Sequence, residues 1–179
     1  MQATPSLKPP IKRVCIIGPE CTGKTDLAQY LANHFKTQWV AEYARGYLNK
    51  LNHPYQQADL TKIAHGQIRM EDEWLYDSKK VMICDTNLLT IKIWSEHKFG
   101  SCPEDILELH AHRQYDLYLL CYIDVPWEND RQREHPDKRE HFWYIYKSEI
   151  EKSGVPFVEI GGALDERRKK AVAAVEKII

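Results

Sequence analysis

Short apolar runs alternate along this chain with longer segments whose apolar residues recur at three- and four-residue intervals. Val14 to Ile17 are β-branched or small and apolar, the pattern of a strand buried on both faces of a parallel sheet. Residues 23–36, GKTDLAQYLANHFK, then place Leu27, Tyr30, Leu31 and Phe35 at helical spacing. Carried along the chain, the pattern predicts strands at 13–17, 37–41, 81–85, 116–124 and 156–160. It predicts helices at 23–36, 57–79, 87–99, 103–113, 138–153 and 164–178. Strands alternating with helices imply a parallel five-stranded sheet between two helical layers, an α/β/α sandwich. Residues 1–10 hold three prolines and little core material, which predicts a flexible leader before a single domain over 11–179.

The turn between the first strand and first helix reads GPECTGKT, residues 18–25. Its spacing, G-x-x-x-x-G-K-T, is that of the Walker A phosphate loop, in the strand–loop–helix setting the motif requires. Gly18 and Gly23 permit a tight turn in which successive N–H groups face one anion, and the helix N-terminus adds its positive end. Gly18, Glu20, Cys21, Thr22, Gly23, Lys24 and Thr25 are therefore the candidate nucleotide contacts. Lys24 would reach the β- and γ-phosphates, and the Thr25 hydroxyl would ligate magnesium. The fold expected is a P-loop NTPase binding a nucleoside triphosphate with Mg2+.

In an open parallel sheet, ligands gather beyond the carboxyl ends of the strands. The second strand delivers AEYARGY there, with Glu42 and Arg45. These two residues read either as a surface ion pair or as contacts to a small acceptor. The third strand, VMICDTN, delivers Asp85 behind apolar residues, the pattern of a magnesium-holding Walker B acid. Asp85 reads as a magnesium ligand or a base, with Glu42 the other candidate base, or instead as the cap of the following helix, and one residue could do both jobs. The charged loop at 125–137, VPWENDRQREHPD, is too long for a plain connector. Arg131 and Arg133 within it read as lid arginines for the charge of phosphoryl transfer, against the alternative of a solvated basic loop. Trp127 at its base reads as a core anchor or as a platform for a ring.

Composition narrows the partners. Across 179 residues the net charge is −1, which favours neither nucleic acid nor an acidic membrane surface. No apolar run approaches the length of a membrane span, and five cysteines without a C-x-x-C pair fit a reducing, cytoplasmic setting. The eight histidines form no H-x-x-x-H and sit near no paired cysteines, so they read as surface and packing residues. The N-K-x-D and H-x-G-H signatures are absent, and the chain has no room for a helicase core or for an oligomeric AAA module with its helical lid domain. A small-molecule kinase fits best. The alternative is a regulatory protein that binds a nucleotide to order its lid. Whether the chain is a monomer or a homodimer stays open.

Taken together, GPECTGKT, WVAEYARGYL, ICDTNLLT, DVPWENDRQREHPDKRE and GVPFVEIGG resemble the ribosylnicotinamide kinase domain of NadR-type proteins, over about residues 12–179. That family typically shows G-x-E-S-x-G-K-S/T, then E-Y-x-R, then D-T-D or D-T-N. The resemblance implies a thymidylate-kinase-like fold and phosphorylation of nicotinamide riboside to the mononucleotide, using ATP and magnesium. It makes Glu42, Tyr43, Arg45 and Asn87 candidate substrate contacts. Thr25 and Asp85 become the candidate metal ligands, and Lys24, Glu42, Asp85, Arg131 and Arg133 the candidate catalytic set. Cys21 stands where the family usually has serine. The adenylyltransferase and DNA-binding parts of NadR-type proteins are missing from this sequence, so the expectation is that NAD synthesis would need a separate enzyme.

Overall fold

The computed structural model describes residues 10–179, so the leader expected over 1–10 lies, apart from Pro10, outside the described residues. The element order is β1 (Lys12–Ile17), α1 (Lys24–Phe35), β2 (Trp39–Val40), α2 (Tyr43–Lys50), α3 (Gln57–Asp77), β3 (Val81–Asp85), α4 (Leu88–Phe99), α5 (Glu104–His112), β4 (Leu117–Cys121), α6 (Arg139–Ser153), β5 (Phe157–Ile160) and α7 (Leu164–Glu176). One 3-10 turn, Pro136–Lys138, leads into α6.

The five strands pair in the order β2-β3-β1-β4-β5, every pair parallel. Strand alternation divides the core. Val14 and Ile16 face α1 and α7, packing with Leu27, Leu31, Ala171 and Val175. Cys15 and Ile17 face the other way, against Leu89, Ile93, Phe142 and Tyr146 of α4 and α6. Both faces of β1 are thus dry, which is why its sequence is an unbroken apolar run rather than an alternating one. A third cluster, with Leu60, Ile63, Leu88, Ile91 and Ile106, joins α3, α4 and α5. The α/β/α sandwich and its five parallel strands are as the sequence implies.

Most elements match within two residues; two strands are shorter than expected and one helix is additional, each for a local reason. β2 is only two residues long, and Gln38 outside it still accepts the Ile83 N–H at 3.3 Å. β4 stops at Cys121 rather than 124; Tyr122 keeps one sheet bond to Ile160, and the chain then turns so that Asp124 accepts from Gly162 N–H. The segment after Glu42, for which the sequence predicts no element, is the helix α2. It holds eight residues with Gly46 at its centre, a poor helix on propensity alone. Tertiary packing holds it, with Ala44 buried and the Tyr43 ring lying against Gly66 of α3.

Candidate active site

The order β3-β1-β4 sets the carboxyl ends of three strands side by side, and the phosphate loop springs from the central one. Gly18 has φ +141°, and a Cβ there would stand 2.8 Å from the Cys121 carbonyl oxygen of β4, so only glycine fits. Gly23, at φ +74°, turns the chain into α1. Cys21 also has positive φ, at 55°. The strain of that conformation is offset because its thiol donates to Pro126 O at 3.3 Å and accepts the Glu128 N–H at 3.2 Å. Thr22 is buried and its hydroxyl donates to Pro19 O at 2.9 Å. Lys24 Nζ folds over the loop to the same carbonyl, at 2.6 Å.

Asp85 ends β3 opposite Ile16 and is 1% exposed. Its Oδ2 accepts the Thr25 hydroxyl at 2.6 Å, while its Oδ1 is buried without a partner. An orphaned carboxylate oxygen beside a phosphate-loop hydroxyl is the donor set a magnesium ion or its water shell takes up. Thr25 and Asp85 therefore fit the metal that a P-loop implies. Burial raises the Asp85 carboxyl, opposed by the Thr25 hydrogen bond and the charges of Lys24 and Arg45. Asp85 does not cap α4. Asn87 does, its Oδ1 accepting the Leu89 N–H at 3.1 Å. Between them Thr86 sits at φ 66°, an outlier for a β-branched residue, with its N–H on Ile16 O.

Glu42 is the N-cap residue of α2, yet its side chain makes no capping bond. It lines instead a cleft of about 450 Å³ that also takes in Gly18, Lys24, Thr25, Arg45, Arg131 and Arg133. Burial, then the negative charge of Asp85, pushes its carboxyl up to about 7, against the pull of Lys24 and Arg45. Glu42 and Arg45 are not a simple ion pair: Arg45 reaches across to Asp130 at 3.0 Å. Tyr55, Trp94, Phe142 and Tyr146 give the cleft an aromatic wall, joined by His53, His97 and His135.

The 125–137 loop closes over the phosphate loop through polar contacts. Glu20 accepts the backbone N–H groups of Glu134, at 3.1 Å, and His135, at 3.1 Å. Arg139 donates to Cys21 O at 3.2 Å and Val125 O at 2.8 Å. Gln132 donates to Arg45 O at 3.1 Å and Asn49 Oδ1 at 2.7 Å, so α2 holds the loop from its other side. Arg131 is exposed at the cleft, whereas Arg133 donates to Glu128 O at 2.6 Å.

Three sequence expectations need correction, those for Tyr43, Asn87 and Trp127. Tyr43 is absent from the cleft, because its ring is wedged against Gly66. Asn87 is 1% exposed, spending its amide on Tyr118 Oη at 3.1 Å and its carbonyl on the helix cap. Glu20 lines the cleft with Lys24 and Thr25, and its carboxylate also tethers the loop. Trp127 belongs to no core cluster and lines no cleft; its Nε1 bonds Asn129 and its ring lies under Arg139 at 5.7 Å. Arg167 is the residue sequence reasoning missed. Buried in α7, it donates to Thr22 O of the phosphate loop and to Asp124 Oδ1 at 2.6 Å. Nothing in the charged run DERRKK distinguishes it from its solvated neighbours.

Among the described residues, no helix is long and apolar enough to cross a membrane. No cluster of three His, Cys, Asp or Glu side chains among them could hold a metal unaided.

The chain resembles known proteins over most of its length. It is 27% identical over 158 residues to the trifunctional NAD biosynthesis/regulator protein NadR of Escherichia coli (strain K12), covering 84% of this chain and 38% of that protein. It spans about two-fifths of the length of the curated relatives it matches. Among solved structures, a NadR protein in complex with NR superposes with a TM-score of 0.75 at 21% identity, over 94% of this chain and 50% of that one. Thymidylate kinase from Ehrlichia chaffeensis gives a TM-score of 0.61 at 14% identity, over 96% of this chain and 100% of that one. These likenesses establish the fold as that of P-loop kinases. The family model described as AAA domain matches residues 13–167, from β1 to the first turn of α7, and the chain belongs to that AAA-domain family of P-loop proteins.

Proposed function

We propose that the chain is a kinase that moves the γ-phosphoryl group of ATP to the primary hydroxyl of a small nucleoside, with nicotinamide riboside as acceptor and its mononucleotide as product. One observation carries the reading. A phosphate loop shares its cleft with Glu42, a carboxylate raised to about 7. A general base works best when its proton affinity lies near the operating pH, and a protein that only senses ATP has no use for one. The choice of nicotinamide riboside is supported by the likeness to NadR, one structure of which holds NR. The aromatic wall of Tyr55, Trp94, Phe142 and Tyr146 suits a planar ring. On this reading the chain acts in NAD metabolism.

In this mechanism the acceptor hydroxyl gives its proton to Glu42 as its oxygen attacks the γ-phosphorus. The bond from that phosphorus to the β–γ bridging oxygen breaks, and ADP leaves. Lys24 turns from Pro19 O to the β- and γ-phosphates, and Arg131 and Arg133 meet the charge spread over the transferring oxygens. Magnesium, when bound, neutralises phosphate charge, and Thr25 and Asp85 are the residues to hold it. The loop at 125–137 keeps water from competing with the acceptor. A panel of nucleosides and nucleotides, each assayed for acceptor-dependent ADP release, tests the reading. Release with nicotinamide riboside supports it; release with a nucleoside monophosphate alone overturns the acceptor, and no release with any acceptor overturns the kinase.

A further inference from the structure

The cleft is backed by a polar network that touches neither nucleotide nor acceptor residues directly. Its deepest member is Glu71 of α3, a carboxylate with 0% exposure. Both its oxygens accept the Tyr115 hydroxyl at 3.0 Å, and Arg113 Nε stands 3.3 Å from Oε2. One helical turn before it, Gln67 is 2% exposed and donates Nε2–H to Glu71 Oε1 at 3.5 Å. The other end of the same amide, Oε1, accepts the backbone N–H of Tyr43 at 3.0 Å. Tyr43 is the first residue of α2, and the residue before it is Glu42.

The order of donors and acceptors in this chain is forced. A helix leaves its first N–H groups without internal partners, so the Tyr43 N–H needs an acceptor. An amide offers an acceptor at one end and donors at the other, and a backbone N–H only donates, so the Tyr43 N–H takes the Gln67 oxygen and turns the amide's donors toward Glu71. The reversed amide would set N–H against N–H at α2. Two further contacts key α2 to α3. The Tyr43 ring fills the space over Gly66, where a Cβ would come within 2.2 Å of it, and Tyr47 Oη donates to Asp59 at 2.8 Å. Gly66 and Gln67 together grip one residue by its ring and its N–H.

We infer that Gln67 is a positioning residue for Glu42, with the donor end of its amide received by the buried carboxylate of Glu71. Glu42 has no capping bond of its own to fix it, so the place of its carboxylate follows from where α2 begins. The inference rests on the proposed role of Glu42 in transfer to the acceptor. It assigns the buried Glu71–Tyr115–Arg113 group a task in that transfer, separate from the phosphate loop on β1. A small misplacement of a reacting group costs far more rate than stability.

The test uses purified full chain with ATP, magnesium and nicotinamide riboside. Gln67→Met keeps the length of the side chain and removes the acceptor. It is expected to lower kcat roughly tenfold, the scale of one unsatisfied buried donor, while the KM for ATP stays within about twofold. Gln67→Glu sets two carboxylates side by side and is expected to be at least as damaging. The exchange Gln67→Glu with Glu71→Gln restores an acceptor facing Tyr43 and an amide behind it, so kcat should recover most of the loss. A scaffold role alone would not show a fall in kcat with ATP binding spared. A kcat for Gln67→Met within twofold of wild type overturns the inference, as does an exchange variant no better than Gln67→Glu alone. Glu42→Gln separates this from the underlying reading. If it retains full turnover, or if the wild type does not phosphorylate nicotinamide riboside, the proposed function fails and the inference falls with it. If Glu42→Gln is inactive while Gln67→Met is normal, the inference fails alone.

Discussion

Replacing Glu42 with glutamine should remove turnover and make the protein more stable. A carboxylate raised from 4.5 to about 7 binds its proton more tightly in the folded chain than in the unfolded one. Below pH 4.5 both states are protonated and nothing is lost. Between 4.5 and about 7 the unfolded chain ionises first, and folded stability falls as pH rises; above about 7 the loss is constant. The step from 4.5 to about 7 corresponds to about 3 kcal/mol, at about 1.4 kcal/mol per tenfold change in proton affinity. Glutamine cannot ionise, but its amide also wants partners in the same place, so a gain of about 1–3 kcal/mol at pH 8 is expected. For a chain of this size that is roughly 3–9 °C in Tm. Urea unfolding of wild type and Glu42→Gln at pH 4.5 and pH 8 measures it. The gap between them should open as pH rises. A variant no more stable than wild type at pH 8, or a gap that does not change with pH, would refute the assignment of a desolvated, function-bearing carboxylate.

Other outcomes follow from the same geometry. The kcat of the wild type should fall as pH drops through about 7, where Glu42 takes up its proton, and a profile flat to pH 5 would remove it as base. Lys24→Ala should abolish turnover for every acceptor while nucleotide binding by titration calorimetry falls less, because backbone amides remain. Asp85→Asn should weaken magnesium dependence and ATP turnover together, since the orphaned Oδ1 and the Thr25 contact lie on one carboxylate. Arg131→Ala should lower kcat more than it raises KM, by as much as the roughly 10³-fold of an arginine finger; a variant within twofold of wild type makes the loop an ordinary connector.

What could be read from the sequence was whatever had a period or a fixed local spacing. VCII followed by GPECTGKT reads as strand, loop and helix because the positive φ at Gly18 and Gly23 is a local backbone demand, even though the space at Gly18 is closed by Cys121 of the distant β4. Among the described residues, the alternation of apolar runs with amphipathic segments located the five strands and six of the seven helices. The helix α2 escaped because it is short, carries Gly46, and depends on α3 for its hold. The segments around Glu42 and Asp85 were found, but spacing alone could not say which way each side chain turns. Tyr43 and Asn87 lie one and two residues from those acids, and the backbone sends them into the scaffold instead. Arg167 and the Gln67–Glu71 pair were illegible for a different reason. Their partners lie 145 and 24 positions away in the chain, on other elements, where no local pattern records them.

The central claim is that one cleft brings a phosphate loop and a neutral-range base to a nucleoside hydroxyl. Mass spectrometry of the products of wild-type protein with ATP, magnesium and nicotinamide riboside tests it most directly. The expected result is a riboside heavier by one phosphoryl group, formed in equal amount with ADP and lost in Glu42→Gln. ADP formed without any phosphorylated riboside, or undiminished product from Glu42→Gln, would contradict it.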